Sequence, residues 1–166
     1  MLKKTSNSIV LKVLALLLIL VSCDSKRIFD EYTSIENNKW DINAPISYQF
    51  EVKDTLARRN LFINIRNNSD YEYSNLFLIT KMSFPDGNKI IDTLEYDMAD
   101  KNGVFLGKGF SELKESKLFY KEQILFPNQG SYTLDIFQAM RKGGEVEGIN
   151  ALEGIVNVGF RIEKIN

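Results

Sequence analysis

In this chain of 166 residues Cys23 is the only thiol, and histidine is absent altogether. That removes Ser-His and Cys-His nucleophile pairs and His-bearing zinc sites, leaving carboxylates, lysines, tyrosines and hydroxyls for any catalysis. Three constellations have suitable residue types. Asp92 and Glu95, with Asp97 close behind, supply carboxylates of the kind that cleave glycosidic bonds in pairs. In a strand, however, Asp92 and Glu95 point to opposite faces. Asp97, Asp100 and Asn102 ahead of Gly103 gather oxygen ligands in a turn, as calcium sites do, but lack the spacing and terminal Glu of an EF-hand. Gly107-Lys108-Gly109 invites comparison with a phosphate loop. There Gly103 lies one residue too near, Gly follows Lys108 where Ser or Thr is needed, and no helical pattern comes after. Solvated charges and a closing loop account for all three more simply, and no metal or other cofactor is expected.

Cys23 has a better-defined setting. Lys3, Lys4 and Lys12 make the N-terminus basic, and Val13 to Val21 (VLALLLILV) is a run of nine apolar residues ending at the small Ser22. This is the order of a secretory leader: basic region, apolar region, small-residue cleavage point. A membrane span needs about 20 apolar residues, and here Lys12 on one side and Asp24, Lys26 and Arg27 on the other stop the run short. Leu20-Val21-Ser22-Cys23 resembles the bacterial lipobox, in which the chain is cut before the cysteine and acylated on its sulfur and new amino group. Residues 1–22 therefore read as a lipoprotein signal peptide, Cys23 as the lipidation site, and 23–27 as the lipidated cysteine with a short tether. Two or more acyl chains hold firmly where one binds reversibly. The partner implied is a membrane, met through the anchor.

The elements that position these residues come from the remaining sequence. Removing residues 1–22 takes away three lysines and no acids, leaving 18 basic against 22 acidic side chains, a formal balance of −4. Such a surface gives no reason to expect binding to nucleic acid or to an anionic membrane by charge. About 144 residues suit one domain, expected over 28–166. Alternation dominates: Ile46, Tyr48, Phe50 and Val52; Leu61, Ile63 and Ile65; Tyr132, Leu134 and Ile136; Val156, Val158, Phe160 and Ile162 each alternate with other residues. Leu76 to Ile79 is apolar on both faces and predicts a central strand; Lys89–Tyr96 and Lys117–Phe126 are further strands. Turn residues separate them at 67–70, 85–87, 127–130 and 143–144. About seven strands so punctuated predict an all-β fold, an antiparallel β-sandwich of immunoglobulin-like or jelly-roll type. Ile149 to Gly154 has room for a short helix at most. With apolar residues resuming at Ile28, the tether spans about five residues and at most roughly 18 Å, keeping the domain close to the membrane.

Between Asp97 and Ser116 alternation fails, glycines fall at 103, 107 and 109, and the apolar trio Val104-Phe105-Leu106 lies between two of them. Long irregular connections in compact domains are often functional. Candidate interface residues are Trp40, Tyr71, Tyr73, Asn75, Phe105 and Arg141, because aromatic and Arg side chains are enriched at binding hot spots. Each ring taken singly also fits the core. The same aromatics, Trp40 and Tyr71 above all, would stack on sugars if the domain were instead a glycan-binding module. A small-molecule ligand is not expected.

The segments Arg66-Asn67, Tyr71-Glu72-Tyr73-Ser74-Asn75-Leu76-Phe77, Asp92-Thr93-Leu94-Glu95-Tyr96, Ala99-Asp100, the three glycines, Gln138-Ala139-Met140-Arg141 and Gly154-Ile155-Val156-Asn157-Val158-Gly159 occur in this order. With the lipobox, they resemble the gliding-motility lipoprotein GldH family of the Bacteroidetes over nearly the whole mature chain. The departures are Phe105, where an aromatic residue that is often Trp is associated with the family, and Glu72, where Pro is frequent. The resemblance implies a non-enzymatic lipoprotein of the cell envelope, needed for gliding and linked to type IX secretion. It implies an assembly or adaptor role among other gliding or secretion proteins, and no catalytic residues. Asp24-Ser25-Lys26-Arg27 lacks the acidic run associated with surface export of lipoproteins in that phylum, which favours the periplasmic side of the outer membrane.

Overall fold

Alternation of apolar and polar residues builds the body of the protein, for which the computed structural model describes residues 24–165. The leader, Cys23 and the lipidation expected there lie outside the described residues. The strands are β1 (Arg27–Ser34), β2 (Lys39–Asp41), β3 (Ile46–Val52), β4 (Arg59–Asn67), β5 (Asn75–Ser83), β6 (Lys89–Asp97), β7 (Lys114–Ile124), β8 (Gly130–Gln138), β9 (Ala151–Glu153) and β10 (Ile155–Lys164). A single 3-10 turn, Glu36–Asn38, is the helical content of the described residues. The stretch with room for a short helix, Ile149 to Gly154, holds β9 instead.

The pairing is nested. β1 pairs with β10, β2 with β9, β3 with β8, β4 with β7 and β5 with β6, all antiparallel. One long hairpin, turning at Pro85-Asp86-Gly87, is thereby folded over on itself so that β10 also meets β4 and β8 also meets β5. Two four-stranded sheets result, β1-β10-β4-β7 and β3-β8-β5-β6, with β2-β9 as a separate ribbon. Eight long strands wrapped in this order make a jelly roll, which decides between the two sandwich types left open by the sequence. β5 is interior in its sheet, as its apolar run predicts.

Rings lock the sheets together. Phe50 of β3 lies 5.4 Å from Phe160 of β10 and stacks on Tyr132 of β8 at 5.6 Å between centroids. The buried Tyr48 hydroxyl donates to the Val158 carbonyl across the sandwich at 2.7 Å. Leu61, Ile63 and Ile65 of β4 face the core, yet Phe62 and Asn64 on its other face are buried as well. Polar groups roof that outer face. The Lys117 ammonium sits 4.0 Å above the Phe62 ring, and the Tyr32 hydroxyl accepts from Asn64 Nδ2 and donates to Glu115, both at 2.9 Å. Arg161 gathers Asp24, Asp30 and Glu163 around one guanidinium.

Strand directions give the sandwich two unlike ends. At the anchor end lie the start of β1, the end of β10 and the β3–β4, β5–β6 and β7–β8 connections; at the loop end lie the β2-β9 ribbon and the β4–β5, β6–β7 and β8–β9 connections. Order at the anchor end begins early. Asp24 already pairs with Arg161, and the Lys26 carbonyl accepts from Lys164 N at 2.8 Å.

Candidate functional site

Every candidate interface residue named from the sequence falls at the loop end, but in different layers. Gly154, between β9 and β10, holds φ at +84°, and a Cβ there would run into the backbone of Tyr71. Its carbonyl accepts from Asn68 N at 2.9 Å, so glycine is what lets the β4–β5 connection close down on the ribbon. Tyr71, 3% exposed, is sealed beneath that connection and donates its hydroxyl to the Asn75 carbonyl at 2.6 Å. Burial, with the Tyr73 hydroxyl nearby, pushes the Tyr71 phenol well above its usual range. Around Tyr71 stand Tyr73 at 5.7 Å and Phe105 at 6.4 Å between ring centroids, each half-buried. Trp40, 1% exposed, pairs opposite Leu152 and donates its indole N–H to the Ala44 carbonyl at 3.0 Å. Asn75 donates to Glu95 at 3.1 Å. Arg141 is exposed, bridged through its backbone to Gly148, and borders a shallow cleft of about 390 Å³ with Ile42, Phe77, Ile79 and Thr93.

Tyr71, Tyr73 and Phe105 are therefore brought together as one aromatic cluster, while Trp40 sits in the core and Arg141 on the rim. Neither Trp40 nor Tyr71 offers a face to stack on a sugar. The surface itself comes from Val104 and Leu106, the flanks of the apolar trio, and from Phe110 and Leu113, which the sequence did not single out. The β6–β7 connection is a folded loop: Ser74 O accepts from Met98 N and Ala99 N, Leu106 N donates to Met98 O, and Lys108 and Glu115 exchange both backbone bonds at 2.8 Å. Asp100 Oδ1 accepts from Val104 N at 2.9 Å and Asn102 N at 2.8 Å. Those backbone bonds hold the Asp100 carboxyl below its ordinary range. The carboxylate weighed as a cation ligand is thus spent on holding the turn.

The Ala99–Phe105 bridge sets the facing of the loop: Phe105 turns inward and its neighbours Val104 and Leu106 turn out. Beyond them Phe110 is 98% exposed, with Leu113 also on the surface. Leu106 and Phe110 border an open cleft of about 760 Å³ together with Asp97, Lys117 and Leu118. A signal for this was present, since neighbours in extended chain must face opposite ways. Gln138, which entered only through a family motif, has a role of its own. It is 1% exposed, donates to Ile149 O at 2.6 Å and accepts from Met140 N at 3.0 Å, pinning the β8–β9 connection at both ends.

The carboxylates weighed for glycosidic chemistry are separated. Asp92 bonds the Tyr120 hydroxyl at 3.0 Å and Lys121 at 2.8 Å, whereas Glu95 holds Asn75 from the other face of β6. Lys108 is committed through its backbone to the Glu115 bridge.

A jelly-roll body of this size defines the class as a small all-β sandwich protein. No helix among the described residues is long and apolar enough to cross a membrane. The chain belongs to the GldH lipoprotein family, whose profile matches residues 27–162. It is 55% identical over 143 residues, 86% of this chain and 87% of the other, to a gliding motility lipoprotein GldH homolog of Christiangramia forsetii. With the gliding motility lipoprotein GldH of Flavobacterium johnsoniae it shares 45% identity over 161 residues, 97% of this chain and 98% of the other. The family resemblance read from ordered motifs is thereby established, and these relatives are named for motility rather than for a reaction. A solved family GH115 4-O-methyl-alpha-glucuronidase aligns over 87% of this chain and 18% of its own at 11% identity and a TM-score of 0.43, too distant to bear on function.

Proposed function

We propose that this protein is a non-enzymatic adaptor of the gliding apparatus, lipid-anchored at Cys23 on the periplasmic face of the outer membrane. There it holds envelope proteins of the gliding and type IX secretion systems through its loop end. The observation that carries this reading is the apolar surface of Val104, Leu106, Phe110 and Leu113 on a loop stiffened by its own backbone bonds. Exposed apolar groups on a preorganised element are what a protein partner buries at low entropic cost. Burial of Trp40 and Tyr71 favours a protein partner over a glycan.

Two measurements test it. Crosslinking and pull-down from intact envelopes should recover gliding or secretion proteins with the native chain and lose them with Phe110→Ser, whose side chain touches little of its own domain. Undiminished recovery with Phe110→Ser overturns the loop assignment, and recovery of glycans alone overturns the adaptor role. Cys23→Ala should abolish the acyl mass and release the protein from membranes; an unchanged mass and a fully soluble native chain refute the anchor.

A further inference from the structure

We infer that the anchor end is a bilayer-contact face, a basic corner with one projecting leucine that seats the sandwich on anionic lipid headgroups in a fixed orientation. This rests on the proposed lipidation of Cys23. Asp24, the next residue, is held by Arg161, and Lys26 is hydrogen-bonded to Lys164, so the body begins where the anchor ends. Consecutive Cα atoms are about 3.8 Å apart, which leaves almost no tether to lift this corner off the lipid.

The composition of the corner suits such a neighbour. Arg58, Arg59, Lys164 and Ile165 line one cleft of about 480 Å³, with Lys26 and Arg27 on the adjoining strand. Leu56, at the tip of the β3–β4 connection, is 89% exposed. Of the acids at this end, Asp24 is held by Arg161, Asp54 by Arg59 at 3.7 Å and by the N–H groups of Leu56 and Ala57, and Asp86 by Asn88 and Asn128, while Glu122 is exposed on β7. Glu51 lies beside Lys53 in the neighbouring cleft, so those two offset one another. This local excess of cations runs against an overall balance of −4 for the chain after residue 22, whereas at the loop end Asp70, Glu72, Asp97, Asp100, Glu112, Glu145 and Glu147 outnumber Lys101, Lys108, Lys114, Arg141 and Lys142. Basic residues at an anionic leaflet gain affinity and an exposed apolar residue adds burial among the headgroups, whereas acids are repelled. The same polarity turns the Phe110 surface away from the bilayer.

The test uses the full acylated chain in vesicles of phosphatidylethanolamine with phosphatidylglycerol, compared with neutral phosphatidylcholine vesicles, followed by amide hydrogen exchange. Exchange at residues 53–59 should slow by about fivefold or more in the anionic vesicles, at roughly fivefold per engaged cation, and revert in 0.5 M salt. Arg58→Glu with Lys164→Glu should remove that slowing while the acyl mass and flotation with vesicles persist. Equal exchange at 53–59 in both vesicle types, or slowing confined to residues 98–113, overturns the orientation with the anchor intact. Absence of the acyl mass instead defeats the anchor reading on which it rests. The salt dependence of the native chain decides the matter should the double variant fold poorly.

Discussion

Single side chains with several partners hold this protein in shape, and Arg161 is the clearest of them. Its guanidinium joins Asp24, Asp30 and Glu163, and Glu163 also receives Lys117 at 2.7 Å. For Glu163 burial works upward, but the bonds from Lys117 and Arg161 outweigh it and hold the carboxyl below its ordinary 4.5. The bond from Arg161 likewise lowers Asp24 below 3.8. Carboxyls depressed in the folded state contribute stability above their unfolded values and lose it as pH falls through the folded ones. Stability should therefore decline below about pH 4.5 toward those depressed values. Arg161→Met should cost about 3 kcal/mol at neutral pH by stranding Asp30 and leaving Glu163 to Lys117 alone, and flatten that acid limb. Urea unfolding across pH 2–7 measures both; an unaltered acid limb would show the cluster to be idle. At Gly154 the backbone sets the limit, and Gly154→Ala should lower stability by more than about 1 kcal/mol, read from the urea midpoint. Residue types were legible at this scale, but not their depth. Nothing adjacent in sequence reveals that Tyr71 and Trp40 are roofed by a connection and a ribbon whose partners lie some eighty and more than a hundred residues away.

Among elements, the β6–β7 loop separates support from contact. Phe105 packs on Tyr71 and Phe110 packs on nothing comparable. Phe105→Ala should thus cost about 2 kcal/mol in thermal or urea unfolding, whereas Phe110→Ser should stay within about 0.5 kcal/mol of the native chain. Equal effects of the two would mean that the loop does not hold Phe105 as described. Alternation in the sequence made β3, β4, β8 and β10 legible at once, although the outer face of β4, with Phe62 and Asn64, is covered as well. β1 was not legible in this way. Phe29 is followed two and four residues on by Glu31 and Thr33, while Asp30 and Tyr32 between them serve the Arg161 and Glu115 networks, so no apolar period shows. β2 and β9, at three residues each, are too short to show a period and exist because they meet.

For the molecule as a whole, nesting makes most contacts distant in sequence, with only the β5–β6 hairpin local. Such order places refolding in the milliseconds-to-seconds range, measurable by stopped flow from urea; microsecond refolding would contradict it. β10 lies between β1 and β4, so a chain stopped before Ile155 should lack near-ultraviolet dichroism and cooperative melting. With export across a membrane as proposed, that arrangement has a use beyond stability. The polypeptide can travel as an open thread, with no finished body to jam a narrow conduit. On that reading the seam between first and last shuts only after the closing strand has passed through, and folding waits for the tail.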